Sequence, residues 1–178
     1  MKTLKEKQKD AFLAMKKEFG YENAMEAPKV TKVVVSSGVG SFKDKKKIEL
    51  ALDRIERITG QKPVLRGAKK SIAAYKSREG DPMGYLATLR GEKMWNFLEK
   101  LVHIALPRTK DFRGLPPTSM DGMGGYSIGV REHTIFPETT DEELKDVFGL
   151  GVTIVTNVRD RQQNKRFLEL LGFPIKKA

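Results

Sequence analysis

Four cations, Lys62, Arg66, Lys69 and Lys70, surround one predicted turn, a grouping whose natural partner is a phosphate-bearing polyanion. Lys43, Lys45, Lys46 and Lys47 open a predicted helix, and Lys76 and Arg78 flank a Gly-Pro loop. Arg108, Lys110 and Arg113 follow Pro107 within six positions. Most of these side chains fall in loops or at element ends, where they reach a partner without disturbing a core. Phe42, Tyr75, Tyr85, Phe112 and Tyr126 lie near them; such rings either pack inward or stack on unpaired RNA bases.

Groups suited to covalent chemistry are sparse. Cysteine is absent, which excludes disulfides, thiolate metal sites and a Cys nucleophile. His103 and His133 are the only imidazoles, with no partner that the sequence can name, and two such histidines argue against a zinc enzyme. Gly38-Val39-Gly40 after a strand has the start of a dinucleotide loop but not its third glycine. Gly67-Ala68-Lys69-Lys70-Ser71 resembles the tail of a phosphate-binding P-loop, yet Lys62 stands where the first glycine is required. Glu142-Glu143 suits the negative first turn of a helix better than an acid/base pair. Neither an RNA-recognition-motif aromatic pattern nor a zinc finger is present.

Composition agrees. In 178 residues, 34 Lys+Arg oppose 23 Asp+Glu, a formal net charge of +11 that attracts nucleic acid. Apolar residues make up 39%, enough for a globular core, and the length suits a single domain spanning 1–178. No run reaches the ~20 apolar residues of a membrane span, and Met1 to Asp10 lacks a signal-peptide core.

The elements that must position these residues can be read from periodicity. Residues 2–19 form a predicted helix, with Leu4, Ala11, Phe12, Met15 and Phe19 on one face and Gly20 as its stop. Lys29 to Val35 is β-branched and predicts a strand entering a turn at Ser36–Gly40. Asp44 caps a helix carrying Ile48, Ala51, Leu52, Ile55 and Ile58, which Gly60 ends. Short strands are expected at Pro63–Leu65 and Ser71–Tyr75, a loop at about 76–84, and a strand at Tyr85–Arg90. A helix over 92–105 breaks at Pro107 into a long loop, about 107–125. Strands follow at Tyr126–Thr134 and Val152–Thr156, with a short acidic helix at Asp141–Val147 between them. Asp160 and Gln163 suggest a capping box for a last helix. The order favours an α+β two-layer sandwich, a mainly antiparallel sheet with helices on one face; a parallel doubly wound fold is the weaker option.

Eight segments stand in an order that resembles a known family. They are Ser37-Gly38-Val39-Gly40, residues 58–63, residues 68–73, Arg78 to Gly84, Thr88 to Met94, Ile104 to Arg108, Asp111 to Leu115 and Ile135 to Glu138. The series is similar to the bacterial large-subunit ribosomal protein L-five family, the 5S rRNA carrier of the central protuberance, and spans nearly the whole chain. The resemblance implies a non-enzymatic constituent of the cytoplasmic ribosome, without cofactor or metal. It implies partners in 5S rRNA, the P-site tRNA, small-subunit protein S-thirteen at an intersubunit bridge, and other large-subunit components, but no membrane. Carried over by position, the 5S rRNA contacts are Ser36, Gly38, Gly40, Gln61 and Thr88, helped by Lys62, Arg66, Lys69, Lys70 and Arg90. The tRNA-facing loop is Tyr75, Lys76, Arg78, Glu79, Gly80, Pro82 and Gly84. The partner of Arg108, Lys110 and Arg113 stays unassigned.

The chain departs from the family pattern at three places. Ser36-Ser37 replaces the usual Asn-Met, Met120–Tyr126 lacks the usual Arg and Asn, and Thr139–Glu143 replaces the usual segment after Phe136-Pro137-Glu138. Two competing classes remain at this point: a small nucleotide-binding enzyme using the Gly38–Gly40 or Gly67–Ser71 loop, and a generic RNA chaperone.

Overall fold

A computed structural model describes residues 2–23, 25–42, 44–140 and 146–176. Five strands, β1 (Val30–Gly38), β2 (Val64–Gly67), β3 (Pro82–Leu89), β4 (Gly125–Val130) and β5 (Leu150–Thr156), form one sheet in the order β2-β3-β1-β5-β4. Pairing is antiparallel. Residue 64 of β2 faces residue 86 of β3. Thr31 bonds Val155 and Ser37 bonds Gly149, so numbers rise along β1 as they fall along β5. Ser127 likewise meets Thr153 while Thr156 donates to Gly124. Helices lie on one side of the sheet, as the α+β reading requires. No described helix is long and apolar enough to cross a membrane.

The chain divides into two compact units, residues 1–33, 90–128 and 153–178 in one, and 34–89 and 129–152 in the other. In the first, α1 (Leu4–Phe19) begins with a true capping box: Thr3 accepts from the Glu6 N–H, and Glu6 accepts from the Thr3 N–H. Leu4, Ala11 and Met15 are buried along one stripe, which packs on α3 (Gly91–Lys100) and α5 (Arg161–Leu171). The Leu4 N–H, orphaned at a helix start, is taken up by Glu99 of α3 at 3.1 Å. Arg166 grips Glu18 with two nitrogens and holds its carboxyl below the usual range. That pair is exposed and contributes little beside the buried Phe167, Leu168 and Leu171. Asp160 caps α5 through the Gln162 N–H, but the Gln163 carbonyl accepts from the Tyr21 hydroxyl, so the expected capping box is only half made.

The helix from Gly91 does not break at Pro107. It widens into a π-turn over Leu101–Ala105, with the Leu106 N–H reaching Leu101, and closes in α4 (Leu106–Arg108). Proline lacks an N–H and crowds the carbonyl four residues back; a wider turn before it relieves that crowding. The loop then runs through a short 3₁₀ turn at Pro117–Ser119. Asp121 accepts from the Met123 and Gly125 N–H groups and so shapes the entry to β4. Gly124, at φ +85°, leaves no room for a side chain: a Cβ would sit 2.3 Å from the Val158 oxygen.

In the second unit, α2 (Lys45–Thr59) starts at Asp44, which accepts from the Lys46 N–H, and ends at a left-handed Gly60. Ala51, Ile55 and Ile58 are buried as the periodicity predicts. Residues Ala73–Tyr75 form a 3₁₀ turn where composition predicts a strand. β4 ends at Val130, short of Thr134, because His133–Ile135 curls into another 3₁₀ turn. There His133 is buried, stacks on Phe148 at 4.1 Å and accepts the Phe148 N–H at Nδ1, a core role rather than a ligand's. Of the expected acidic helix, Asp141–Lys145 lies outside the described residues; Lys43 does too.

Tyr126 gives the fold a measurable signature. Its ring is fully buried, its hydroxyl donates to the Pro116 carbonyl at 3.0 Å, and burial pushes its pKa up to about 12. A folded-state pKa above the unfolded value of about 10 stabilises the fold fully below that value. This contribution is lost as pH rises from about 10 through about 12. Tyr126→Phe is expected to lose about 1 kcal/mol at neutral pH and to fall less steeply than wild type in this alkaline window. Urea denaturation across that range checks both; an unchanged alkaline slope would remove Tyr126 as its source.

Candidate nucleic-acid interface

The face of the sheet away from the buried side chains is assembled by simple alternation. Along β1 and one residue past it, Val33, Val35, Ser37 and Val39 are buried, whereas Val34 and Ser36 are half-buried and Gly38 is exposed. Ser36, Ser37 and Gly38 therefore belong to the strand, not to the turn expected at Ser36–Gly40. Their hydroxyls have different duties. Ser37 points inward and donates to the Gly149 carbonyl at 2.8 Å, while Ser36 lies on the open side, 3.4 Å from the Gly151 carbonyl.

β3 continues this face. Tyr85, Ala87 and Leu89 are buried, leaving Gly84, Leu86 and Thr88 on the open side. Pro82 and Gly84, expected in a loop, are strand residues. Gly84 is needed there because a Cβ would sit 2.8 Å from the Ser37 carbonyl. On β2, Arg66 is registered opposite Gly84 and Val64 opposite Leu86, which puts Arg66 at the rim of the same face beside a residue with no side chain. Gln61 follows α2 in a turn braced by Thr59, and its amide donates to the Thr88 carbonyl at 3.4 Å. Gln61 and Thr88, 27 residues apart, are thus neighbours. Lys62, Lys69 and Lys70 are exposed nearby in the chain.

The segment after β2 is ordered by its own backbone. Ala68 donates to Asp81, Gly80 to Ala68 and Ile72 to Ser77, with Lys76 at φ 51° closing the tip. Arg78 N–H bonds the Asp81 carboxylate at 2.7 Å and Glu79 N–H bonds the Ser71 hydroxyl at 2.9 Å. Gly80, at φ +89°, supplies the reverse bend. Tyr75 stands 80% exposed at the tip.

Backbone bonding bears directly on the nucleotide-loop alternative. A phosphate cradle needs free backbone N–H groups. The Val39 and Gly40 N–H groups are both given to the Met83 carbonyl, at 2.9 and 3.1 Å, and the Ala68 N–H is given to Asp81. The Gly38–Gly40 turn therefore lacks the cradle its sequence hints at, and the Gly67–Ser71 segment has its Ala68 amide already engaged.

Comparison with known proteins settles the family. The N-terminal part, residues 23–78, matches the family model "Ribosomal protein L5", and residues 82–175 match the model for the C-terminus of the same ribosomal family. The chain is 48% identical over 164 residues to the large ribosomal subunit protein uL5 of Desulfatibacillum aliphaticivorans, covering 92% of each. It is 46% identical over 179 residues to that of Thermoanaerobacter sp., covering 99% of this chain and 100% of the relative. With the uL5 protein of Halothermothrix orenii it shares 50% identity over 157 residues, 88% of each. The chain belongs to the ribosomal protein L5 family.

It is a structural constituent of the large ribosomal subunit, assembled with rRNA, and not an enzyme. In a bacterium the ribosome is cytoplasmic, and so is this L5 family member. The described geometry suits that role. Small residues on β1 and β3 permit close approach of a nucleic-acid backbone, and cations stand at the rim. Lys45 and Lys46 begin α2, where the helix dipole disfavours positive charge and an anion is welcome. Arg90 is exposed just before α3; Arg108 closes α4, and Lys110 and Arg113 flank Asp111 at φ 54°. No spacing or composition signal marks Val64 and Leu86 as part of this region; only the strand register brings them in.

Gly84 is the position where packing and surface meet. Gly84→Ala is expected to destabilise the fold by about 1–3 kcal/mol and to lower rRNA affinity, because β1 and β3 must separate. Gly38→Ala meets nothing within 4 Å and should change stability by less than about 0.5 kcal/mol. Equal unfolding midpoints for the two variants would disprove the close approach.

Proposed function

We propose that this protein binds 5S rRNA through the open sheet face and helps fix it in the central protuberance. The supporting observation is the juxtaposition of Gln61 with Thr88 beside Ser36, Gly38 and Gly84 on β1 and β3. The amide, the hydroxyls and the glycine backbone left bare of side chains match sugar and base-edge contacts, and Lys62, Arg66, Lys69, Lys70 and Arg90 supply phosphate contacts. Gly40 serves by letting the turn after β1 pack under Met83, where a Cβ would come within 2.6 Å of the sulfur. The loop carrying Tyr75, Lys76, Arg78, Glu79 and Gly80, with Pro82 and Gly84 at its return, faces the P-site tRNA. A further surface meets small-subunit protein S-thirteen at an intersubunit bridge; family likeness alone supports that part.

Binding of purified 5S rRNA at graded salt tests the proposal. If the five cations each neutralise one phosphate, the log–log salt slope is roughly −4.5. Gln61→Ala and Thr88→Ala are each expected to weaken binding about fivefold with unchanged melting temperature. Affinity for an unrelated hairpin equal to that for 5S rRNA would instead support a generic RNA chaperone. Normal binding by both variants would remove Gln61 and Thr88 from the interface.

A further inference from the structure

Beside the turn at Gly40 and Ser41 lies a cleft of about 790 Å³, within the size range of small-ligand sites. Its walls are Ala68, Ile72, Tyr75 and Met83, and Lys69 and Lys70 also line it. Among the described residues no acidic side chain lines it, and Ser77 adds a hydroxyl. Tyr75 is 80% and Ile72 45% exposed, although the backbone bonds from Ala68 to Asp81 hold their segment in a defined shape. Apolar surface is therefore held open here by an ordered loop, next to two cations.

That pairing selects a ligand. A duplex buries its base faces in its own stack and offers proteins phosphates and groove edges. Among the surfaces that RNA presents, an aromatic and aliphatic wall is matched by a base face, which an unpaired nucleotide exposes. Two lysines beside such a wall are suited to that nucleotide's phosphate. We propose that this cleft takes one unpaired nucleotide of an RNA strand, its base against Tyr75 and Ile72 and its phosphate against Lys69 and Lys70. The inference rests on the reading of the Tyr75 loop as RNA-facing and specifies what it recognises: a single extruded base rather than helical shape.

The test compares two RNA hairpins that differ only by one bulged 2-aminopurine, titrated into the full-length protein. The bulged hairpin is expected to bind about tenfold tighter, with a change in 2-aminopurine fluorescence on binding. Tyr75→Ala should abolish both the preference and the fluorescence change, and Tyr75→Phe should retain them; circular dichroism checks that each variant is folded. Free adenosine monophosphate should compete only at far higher concentration than the bulged RNA. Equal affinity for the two hairpins, an undiminished preference in Tyr75→Ala, or competition by the free nucleotide at equal concentration would overturn the proposal. The same preparations titrated with 5S rRNA separate the two readings. Bulge preference without 5S selectivity sinks the 5S assignment alone, and 5S selectivity without bulge preference sinks the cleft alone.

Discussion

The period-two alternation of β1 is the constraint on which the rest depends. β1 is third of five in the sheet, so both of its edges are paired and its register is fixed from two sides. A one-residue slip would turn Val33 and Val35 outward and exchange the places of Ser36 and Ser37. The inward Ser37 is tolerated because its hydroxyl is satisfied by Gly149; an unsatisfied hydroxyl there would be costly. Its carbonyl also sets the distance to β3, since Gly84 packs against it without a side chain. A strand whose buried side is valine and whose open side ends in serine and glycine thereby fixes both the core and a face of small groups.

Charge follows a similar division. Several cations in or beside helices find carboxylates: Lys2 with Asp10, Lys5 with Glu92, Arg57 with Asp53 and Arg166 with Glu18. Among the described residues, Lys62, Arg66, Lys69 and Lys70 form no ion pair. Exposed pairs add little stability, so the contrast matters less for folding than for binding. A net charge of +11 opposes compaction through self-repulsion, and cations without internal partners are those whose field an rRNA backbone can neutralise without first breaking a bond.

What the sequence revealed follows from how local each cause is. α2 was legible at both ends because Asp44, the apolar spacing and Gly60 all act within a few residues. The π-turn at Leu101–Ala105 was not, because periodicity stays nearly helical while one extra residue is accommodated ahead of Pro107. β1 outran its predicted end because Ser36 to Gly38 have weak strand preference of their own and are held by Gly149, Gly151 and β3. Ser71–Tyr75 looks like a strand by composition, but the Ile72–Ser77 bridge closes too short a loop for one. For the site, the cations were visible as charge. The adjacency of Gln61 and Thr88 is a product of tertiary register that no spacing rule contains; family likeness named the two residues but not their contact.

The use of backbone amides bears on the proposed interface, in which RNA is met by side chains. Where a phosphate-binding loop leaves its N–H groups pointing at solvent, here Val39, Gly40, Ala68 and Gly80 direct theirs to Met83, Asp81 and Ala68. Those bonds withdraw these four amides from anion binding, but they also remove the entropy that a free loop of this length would lose on binding. The side chains left outside, Tyr75, Lys69, Lys70 and Arg78, are carried by a pre-shaped segment, so a partner meets fixed positions rather than an ensemble. A protein whose work is to hold RNA in place gains from that arrangement, because rigidity at the contact is itself the output. An enzyme on the same loops would have needed a different choice: amides held fixed but left unpaired and aimed at the reacting phosphate.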